Sequence, residues 1–213
     1  MKAILWILFI TFAIVIGLYP LIYLLKLSPG MLSSKSQEVL QSDVWFFAFY
    51  MHISFGAVAL LTGWSQFSKK VRNKFLKWHR FLGKIYLIAV LGSGMAALYI
   101  AMFANGGLVS VIGFSGLAIG WLFTTTQAYV NIRKKEIDAH RYWMIRSYAL
   151  CFAAVTLRIW LPFFQLGLHM DFIEAYRIIA WLCWVPNLIV AEMIVTNIKR
   201  NGRTTNDQPS LQR

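Results

Sequence analysis

Long apolar stretches alternate with short polar connections along the whole chain. A membrane-spanning helix needs about 20 predominantly apolar residues, and six stretches of the sequence reach roughly this length. The pattern therefore predicts an all-α, polytopic membrane bundle with six transmembrane spans. Numbered 1 to 6 in chain order, the predicted spans are Ala3–Leu25, Val44–Phe67, Ile85–Phe103, Leu108–Val130, Tyr148–Leu168 and Phe172–Ile198.

The spans divide the chain into three parts. Residues 1–43 hold an N-terminal anchor helix and an outer loop, residues 44–200 a five-helix membrane core, and residues 201–213 a polar tail that we expect to be disordered. The first apolar run is longer than the apolar core of a signal peptide, and no small-residue cleavage site closes it. We therefore expect an uncleaved anchor.

The composition disfavours other classes of protein. Of the 213 residues, 59% are hydrophobic and 14% are charged, whereas a soluble domain carries about 25% charged residues. This excludes a disordered chain and disfavours an ordinary cytosolic enzyme. The formal net charge of +13 is typical of nucleic-acid-binding proteins, but the basic residues lie between the spans, so we expect a lipid bilayer and no nucleic acid as partner.

The basic residues are concentrated on one side of the predicted membrane. The segments Lys69–Lys84 and Arg133–Arg146 and the tail after Ile198 are strongly basic, whereas the opposite connections carry mixed charges. Basic connections face the cytoplasm in multi-pass proteins. The sequence therefore predicts cytoplasmic termini and an even number of spans.

A set of polar landmarks recurs 61 residues later in the chain. Each set ends one span and opens the next, so spans 2 and 3 are interpreted as a copy of spans 4 and 5 in parallel orientation. Such a repeat predicts a pseudo-twofold axis along the membrane normal. The matched residues are Gln66 with Gln127, Arg72 with Arg133, His79 with His140 and Arg80 with Arg141.

Four polar side chains lie inside predicted spans: His52, Arg158, Asn187 and Glu192. At 1.5 Å per residue, His52 lies about 13 Å below the outer surface and Arg158 about 18 Å from the cytoplasmic surface, so both belong to the outer half. A buried arginine is costly, and we expect it to hydrogen-bond His52 or Asn187 and to hold an anionic or carbonyl-bearing ligand, such as a quinone or lipid headgroup. The alternative for His52 is a core histidine bonded to a backbone carbonyl.

Stripes of small residues accompany these polar groups. One stripe joins His52 to Gln66 in span 2, and another joins Gly113 to Gln127 in span 4. Tight helix packing is the more common use of such stripes. The alternative is a flat ligand or cofactor lying against the backbone, which adds Gln66 and Gln127 to the candidate ligand-binding residues.

His79 and His140 form the most symmetric pair in the repeat. Neutral imidazole is a good axial ligand for haem iron, so two such rings on neighbouring helices predict a b-type haem near the cytoplasmic face. Arg80 and Arg141 would then pair with its propionates. The alternative is that both His-Arg pairs are interfacial residues that reach lipid headgroups.

Motifs of familiar enzymes are absent from the sequence. It contains no P-loop, no nucleophile elbow, no zinc-protease helix and no Cys-x-x-Cys pair. The two cysteines, Cys151 and Cys183, lie inside apolar spans and predict neither a disulfide framework nor a zinc site. No catalytic residue is therefore predicted.

The segment His140–Leu150, continuing to Arg158, resembles a bacterial family of predicted multi-pass membrane proteins, the domain-of-unknown-function family 2306. The resemblance covers about Val44–Glu192. It implies a membrane protein of a bacterial inner membrane, but it implies no reaction. Further positions that match the family are His52, Gly63, Gln66, Phe67, Arg72, His79, Arg80, Gly83, Tyr86, Asn187 and Glu192.

Three functional hypotheses remain open at this point. The first is a b-type haem protein that transfers electrons or reduces a quinone or a metal, with His52 and Arg158 as a second polar site. The second is a non-redox protein that binds or carries a lipid or small molecule in a cavity lined by His52, Arg158, Asn187 and Glu192. The third is an accessory subunit of a larger membrane complex. Only the first predicts a visible chromophore.

Overall fold

The computed structural model describes residues 2–25 and 30–206, and these form helices and no strand. Lys26 of the outer loop and the last seven residues of the predicted tail lie outside the described residues. The α-helices are α1 Lys2–Leu18, α2 Leu21–Leu24, α3 Gln37–Leu40, α4 Asp43–Gly63, α5 Lys69–Lys74, α6 Leu76–Ala101, α7 Leu108–Arg133, α8 Ile137–Cys151, α9 Ala153–Pro162, α10 Phe172–Leu182 and α11 Val185–Asn206.

The prediction of six spans is confirmed, because six helical segments are long and apolar enough to cross a membrane. Their outer faces carry many exposed apolar side chains; Phe47, Met95 and Ile119 are 72%, 62% and 58% exposed. Soluble proteins rarely expose apolar patches of this extent. The spans are Ile4–Leu24, Asp43–Phe67, Leu76–Ala101, Leu108–Arg133, Ile137–Gly167 and Phe172–Asn201.

Spans 3 and 5 begin earlier than predicted. Span 3 starts at Leu76 and span 5 at Ile137, so most of the basic segments assigned to connections is helical, including α5. Lysine and arginine side chains extend along the helix surface and keep their charges near the headgroups, so a basic helix start is compatible with the membrane surface. The last helix, α11, continues to Asn206, six residues into the predicted tail.

Helical breaks interrupt spans 1, 5 and 6. In span 1, a turn at Tyr19 and Pro20 separates α1 from α2. Span 5 breaks at Phe152 and ends in a π-helical turn over Phe163–Gly167. Such breaks free backbone carbonyls, which inside a membrane must find donors within the protein.

Spans 2 to 5 form a closed ring of four helices. Span 2 packs on span 3, span 3 on span 4, span 4 on span 5, and span 5 again on span 2. Span 1 lies outside this ring against spans 2 and 5, and span 6 lies against spans 4 and 5. A buried cluster in the centre of the ring includes Leu60, Tyr86, Trp121, Tyr148 and Val155.

The ring has the arrangement expected from the sequence repeat. Exchanging span 2 with span 4, and span 3 with span 5, converts each packing pair into another packing pair. Residues on a twofold axis must also meet their own equivalents. Tyr86 and Ser147 are 61 residues apart and share a hydrogen bond of 2.7 Å between their hydroxyl oxygens.

Candidate functional site

A cavity of about 250 Å³ lies among the six spans, and each span contributes to its lining. We call it the axial cavity, because many of its lining residues are related in pairs by the 61-residue repeat. These related pairs are Ile53 with Phe114, Gly56 with Leu117, Ala57 with Ala118, Leu60 with Trp121, Ser93 with Ala154, and Ala97 with Arg158.

His52 is one of the polar side chains that line the axial cavity. Its Nδ1 lies 3.1 Å from the Ser93 carbonyl oxygen and 3.0 Å from the Ser93 hydroxyl. The same hydroxyl donates to the His52 carbonyl oxygen at 3.0 Å. Because Ser93 has one hydroxyl hydrogen, Nδ1 must donate to Ser93, and the neutral ring keeps Nε2 as an acceptor. The carbonyl contact is thus the one expected for a core histidine, but the ring also faces the cavity.

Arg158 lines the same cavity as His52. Its hydrogen-bond partner differs from the expected ones. Nη1 donates to the Ala154 carbonyl oxygen at 2.8 Å, and the guanidinium carbon lies 4.5 Å from the centre of the Tyr19 ring. Neither His52 nor Asn187 bonds this guanidinium among the described residues, because span 1 supplies an aromatic face instead.

Lys35 lies where the axial cavity meets the connection between spans 1 and 2. Its amine donates to the Phe103 carbonyl oxygen and to Asn105 Oδ1, the latter at 3.1 Å. Asn105 in turn donates to Ser34. Burial lowers the pKa of the Lys35 amine from its ordinary value. These contacts tie residues 30–42 over one end of the bundle, which we call the first-loop end.

A buried hydrogen-bond network lies below the cavity, toward the opposite, basic end. The Thr125 hydroxyl donates to the Trp121 carbonyl oxygen at 2.8 Å and lies 2.6 Å from the Ser147 hydroxyl. Ser147 therefore donates to Thr125 and accepts from Tyr86, and Trp121 Nε1 donates to Tyr86 at 3.4 Å. Every hydroxyl in this network is satisfied, so it joins spans 3, 4 and 5 without a ligand.

His79 and His140 occupy equivalent positions of the repeat, near the basic ends of spans 3 and 5. His140 Nδ1 lies 2.7 Å from the Ala128 carbonyl oxygen, whereas Nδ1 of His79 is buried without a hydrogen-bond partner among the described residues. The neighbouring side chains of Arg80 and Arg141 are exposed. Neither histidine lines the axial cavity, so this pair is a second, separate location.

The other candidate ligand-binding residues lie outside the lining of the axial cavity. Gln66 is buried and donates to Ser65, and the Gln127 carbonyl oxygen accepts from Asn131. Asn187 donates to Ala149, Thr156 and Cys183, which closes the helical break in span 6 and ties it to span 5.

Glu192 also has a partner within the bundle. It forms a two-pronged ion pair with Arg146, whose second contact measures 2.8 Å, and the Arg146 guanidinium lies 4.6 Å from the Trp143 ring centre. Unlike His52 and Arg158, neither Asn187 nor Glu192 is among the residues that line the axial cavity. Both residues connect span 6 to span 5, and their positions along the sequence do not predict these partners.

Several cavity residues were not among the candidates. Tyr23 and Tyr176 line the cavity, as do Lys35 and Trp45, and Tyr19 covers Arg158. One sequence signal was available: Tyr19 and Tyr23 are four residues apart, so their rings share a helix face. A single lysine in a mixed-charge loop gives no comparable signal.

A family model described as a predicted membrane protein, DUF2306, matches residues 49–195. The chain belongs to this family. The DUF2306 match contains His52, His79, His140 and Arg158, but it leaves out span 1 and the connection that carries Lys35. No curated protein and no solved structure matches the chain.

Proposed function

We propose that this membrane protein binds a small membrane-soluble molecule with carbonyl groups, a quinone or a lipid, in the axial cavity. The observation that carries the proposal is the cavity itself: apolar walls from all six spans enclose it, and His52 and Arg158 face it. Ligand sites are usually apolar cavities with a few converging polar groups. Sites between the halves of a repeat are common in membrane proteins.

The two polar groups complement each other chemically. The Arg158 guanidinium carries hydrogen-bond donors only, and His52 in its neutral form offers Nε2 as an acceptor. A carbonyl of a quinone would accept from Arg158, and a hydroxyl of the reduced quinol would donate to His52. The hydrogen bond from His52 to Ser93 fixes the ring in this orientation.

Quenching of tryptophan fluorescence by a short-chain quinone tests this proposal. Trp45 and Trp121 line the cavity, so binding of the quinone to the full chain in nanodiscs should quench them with a saturable dependence on concentration. Ala97→Leu should abolish the saturable part, because Ala97 lines the cavity and the larger leucine side chain would occupy its space.

Thr126→Leu is the matched control, since it adds a leucine at an exposed position of span 4. It should quench like the unchanged protein. If quenching is linear in quinone concentration, or if both variants behave alike, partition into the bilayer explains the signal and the cavity does not bind quinone.

A second candidate function is electron transfer through a b-type haem held by His79 and His140. The observations that favour it are the equivalent positions of the two histidines in the repeat and the contact of His140 with a backbone carbonyl. When Nδ1 donates to the Ala128 carbonyl oxygen, Nε2 is free, as in most metal-binding histidines. Among the described residues no group of three His, Cys, Asp or Glu could hold a metal ion, and haem iron needs only two protein ligands. Arg80 and Arg141 would hold the propionates.

An absorption spectrum of protein expressed with ample haem tests this second candidate. A bis-histidine site should give a sharp Soret band that is lost in His79→Ala and in His140→Ala. His52→Ala should keep the band, because His52 belongs to the axial cavity. A colourless protein would remove the haem hypothesis without affecting the cavity proposal.

We also propose that the protein lies in a bacterial inner membrane with both termini in the cytoplasm. The strongly basic connections at one end of the bundle support this orientation. In this orientation the first-loop end, where residues 30–42 lie over the axial cavity, would face the outer side of the membrane.

A further inference from the structure

The charge of the axial cavity is one-sided. Lys35 and Arg158 are the charged residues in its lining, and no aspartate or glutamate lines it within the described part of the chain. Elsewhere in the bundle, the partly exposed Arg146 is neutralised by Glu192 through two contacts. The cavity therefore carries positive charge that the protein itself leaves uncompensated.

Arg158 also has unused hydrogen-bond capacity. A guanidinium has five N–H groups, and within the described residues that of Arg158 makes one hydrogen bond, to Ala154. Its Nε is buried without a partner there, and so is Nε1 of Trp45, a second residue of the cavity lining. Buried donors without acceptors are costly. A ligand with acceptor atoms could satisfy both of these N–H groups.

The position of Tyr19 limits where an acceptor can bind. The guanidinium carbon lies 4.5 Å from the centre of the Tyr19 ring, and the ring face offers no strong hydrogen-bond acceptor. The edge of the guanidinium remains the place for a hydrogen-bond acceptor, and the planar fork matches a carboxylate or a phosphate.

The volume limits the size of the bound group. At about 250 Å³, the cavity is somewhat smaller than common ligand pockets of about 300–1,000 Å³. It suits a compact apolar body with one polar head, or the head region of a lipid whose chain leaves between the spans.

We propose that the natural ligand of the axial cavity is an organic anion, with a carboxylate or phosphate bound by Arg158 and a compact apolar body against Leu60, Leu117 and Trp121. The inference rests on the proposed ligand-binding function and narrows its ligand to acids. Lys35 at the first-loop end attracts such an acid toward the cavity. A free amphipathic acid and an anionic lipid headgroup share this chemistry.

Binding of octanoate and of its neutral counterpart octanamide tests the inference. The full chain is placed in nanodiscs of phosphatidylcholine, and binding of each radiolabelled compound is measured with empty nanodiscs subtracted. The unchanged protein should bind octanoate at least about tenfold more tightly than octanamide, because charge-assisted hydrogen bonds favour the anion. Arg158→Gln should remove this preference and leave octanamide binding within about twofold.

Arg133→Gln is the matched control. Arg133 also lies beside an aromatic ring, that of Tyr129 at 5.9 Å, but at an exposed position away from the cavity. This variant should keep the full preference for octanoate. If Arg158→Gln does not fold, Arg158→Lys provides the test: it keeps the charge but loses the planar fork, and it should weaken octanoate several-fold more than octanamide.

The outcomes separate this inference from the function on which it rests. Equal binding of octanoate and octanamide would overturn the anion inference while the cavity still binds ligands. Absence of binding by octanoate, octanamide and quinone alike would overturn both proposals. If nanodiscs containing phosphatidylglycerol suppress octanoate binding, the anionic lipid headgroup is the natural source of the acid group; if they do not, a free acid is.

Discussion

Arg158 lies within a membrane span, and its nearest aromatic partner comes from span 1. The guanidinium is 4.5 Å from the Tyr19 ring centre, and Tyr19 packs edge-on against Tyr23 at 5.9 Å. Insertion of an arginine at the centre of a membrane costs about 2.5–3.5 kcal/mol. A desolvated cation–π contact of about 2 kcal/mol offsets a large part of that cost.

Replacement of Tyr19 should therefore show how much its ring contributes to the stability of the protein. We expect Tyr19→Leu to lower the free energy of unfolding by about 1–2 kcal/mol, because the cation–π contact is lost. Tyr19→Phe keeps the ring and should change stability by less than about 0.5 kcal/mol. Equilibrium unfolding in mixed micelles measures both. Equal effects of the two substitutions would show that the ring face does not stabilise Arg158.

Close helix contacts position the elements around the axial cavity. A Cβ atom added at Gly113 in span 4 would lie 2.8 Å from the Ala180 carbonyl oxygen of span 6, whereas one at Gly116 would meet only Trp184 at 3.6 Å. Backbone cannot yield to a new methyl group as a flexible side chain can. Spans 4 and 6 thus depend on Gly113 for their approach.

The two glycines offer a matched comparison within one helix. We expect Gly113→Ala to destabilise the protein by about 1–3 kcal/mol, because spans 4 and 6 must separate. Gly116→Ala should be neutral or slightly stabilising, since alanine is the better helix former by about 1 kcal/mol. Thermal unfolding of the two variants in the same detergent checks this. A stable Gly113→Ala variant would mean that the two spans adjust without cost.

The sequence predicts the elements well where hydropathy alone defines them. All six spans were predicted, but spans 3 and 5 start at Leu76 and Ile137, within segments assigned to basic connections. A hydropathy pattern cannot distinguish a basic loop from the basic first turns of a helix. Lysine and arginine side chains can reach the membrane surface from either one. Hydropathy also does not predict the break in span 1 at Tyr19 and Pro20, because apolar residues continue on both sides of it.

Only part of the candidate site was predictable. The depth estimate places His52 and Arg158 at similar levels, because rise per residue is the same in every helix, and both line the axial cavity. The partners of Arg158, Asn187 and Glu192 depend on which helices pack together and on how each is rotated. That information resides in long-range contacts, and a single sequence does not provide it.

At the scale of the whole molecule, the distribution of basic residues predicts the orientation in the membrane. Cysteine labelling measures it, because the native Cys151 and Cys183 are 5% and 0% exposed and should react little. We expect a membrane-impermeant maleimide added to intact cells to label Glu38→Cys but not Lys70→Cys, both of which replace exposed residues. Labelling of Lys70→Cys alone would reverse the proposed orientation.

The 61-residue repeat brings equivalent positions together, yet the polar groups of the axial cavity have no counterparts. Gly113 stands at the position equivalent to His52, and Ala97 at the position equivalent to Arg158. In a symmetric homodimer of single hairpins, each substitution would occur twice across the axis, and two arginines would face each other there. Joining both hairpins in one chain allows each copy to diverge separately, so the proposed ligand would bind in one preferred direction rather than in two equivalent ones.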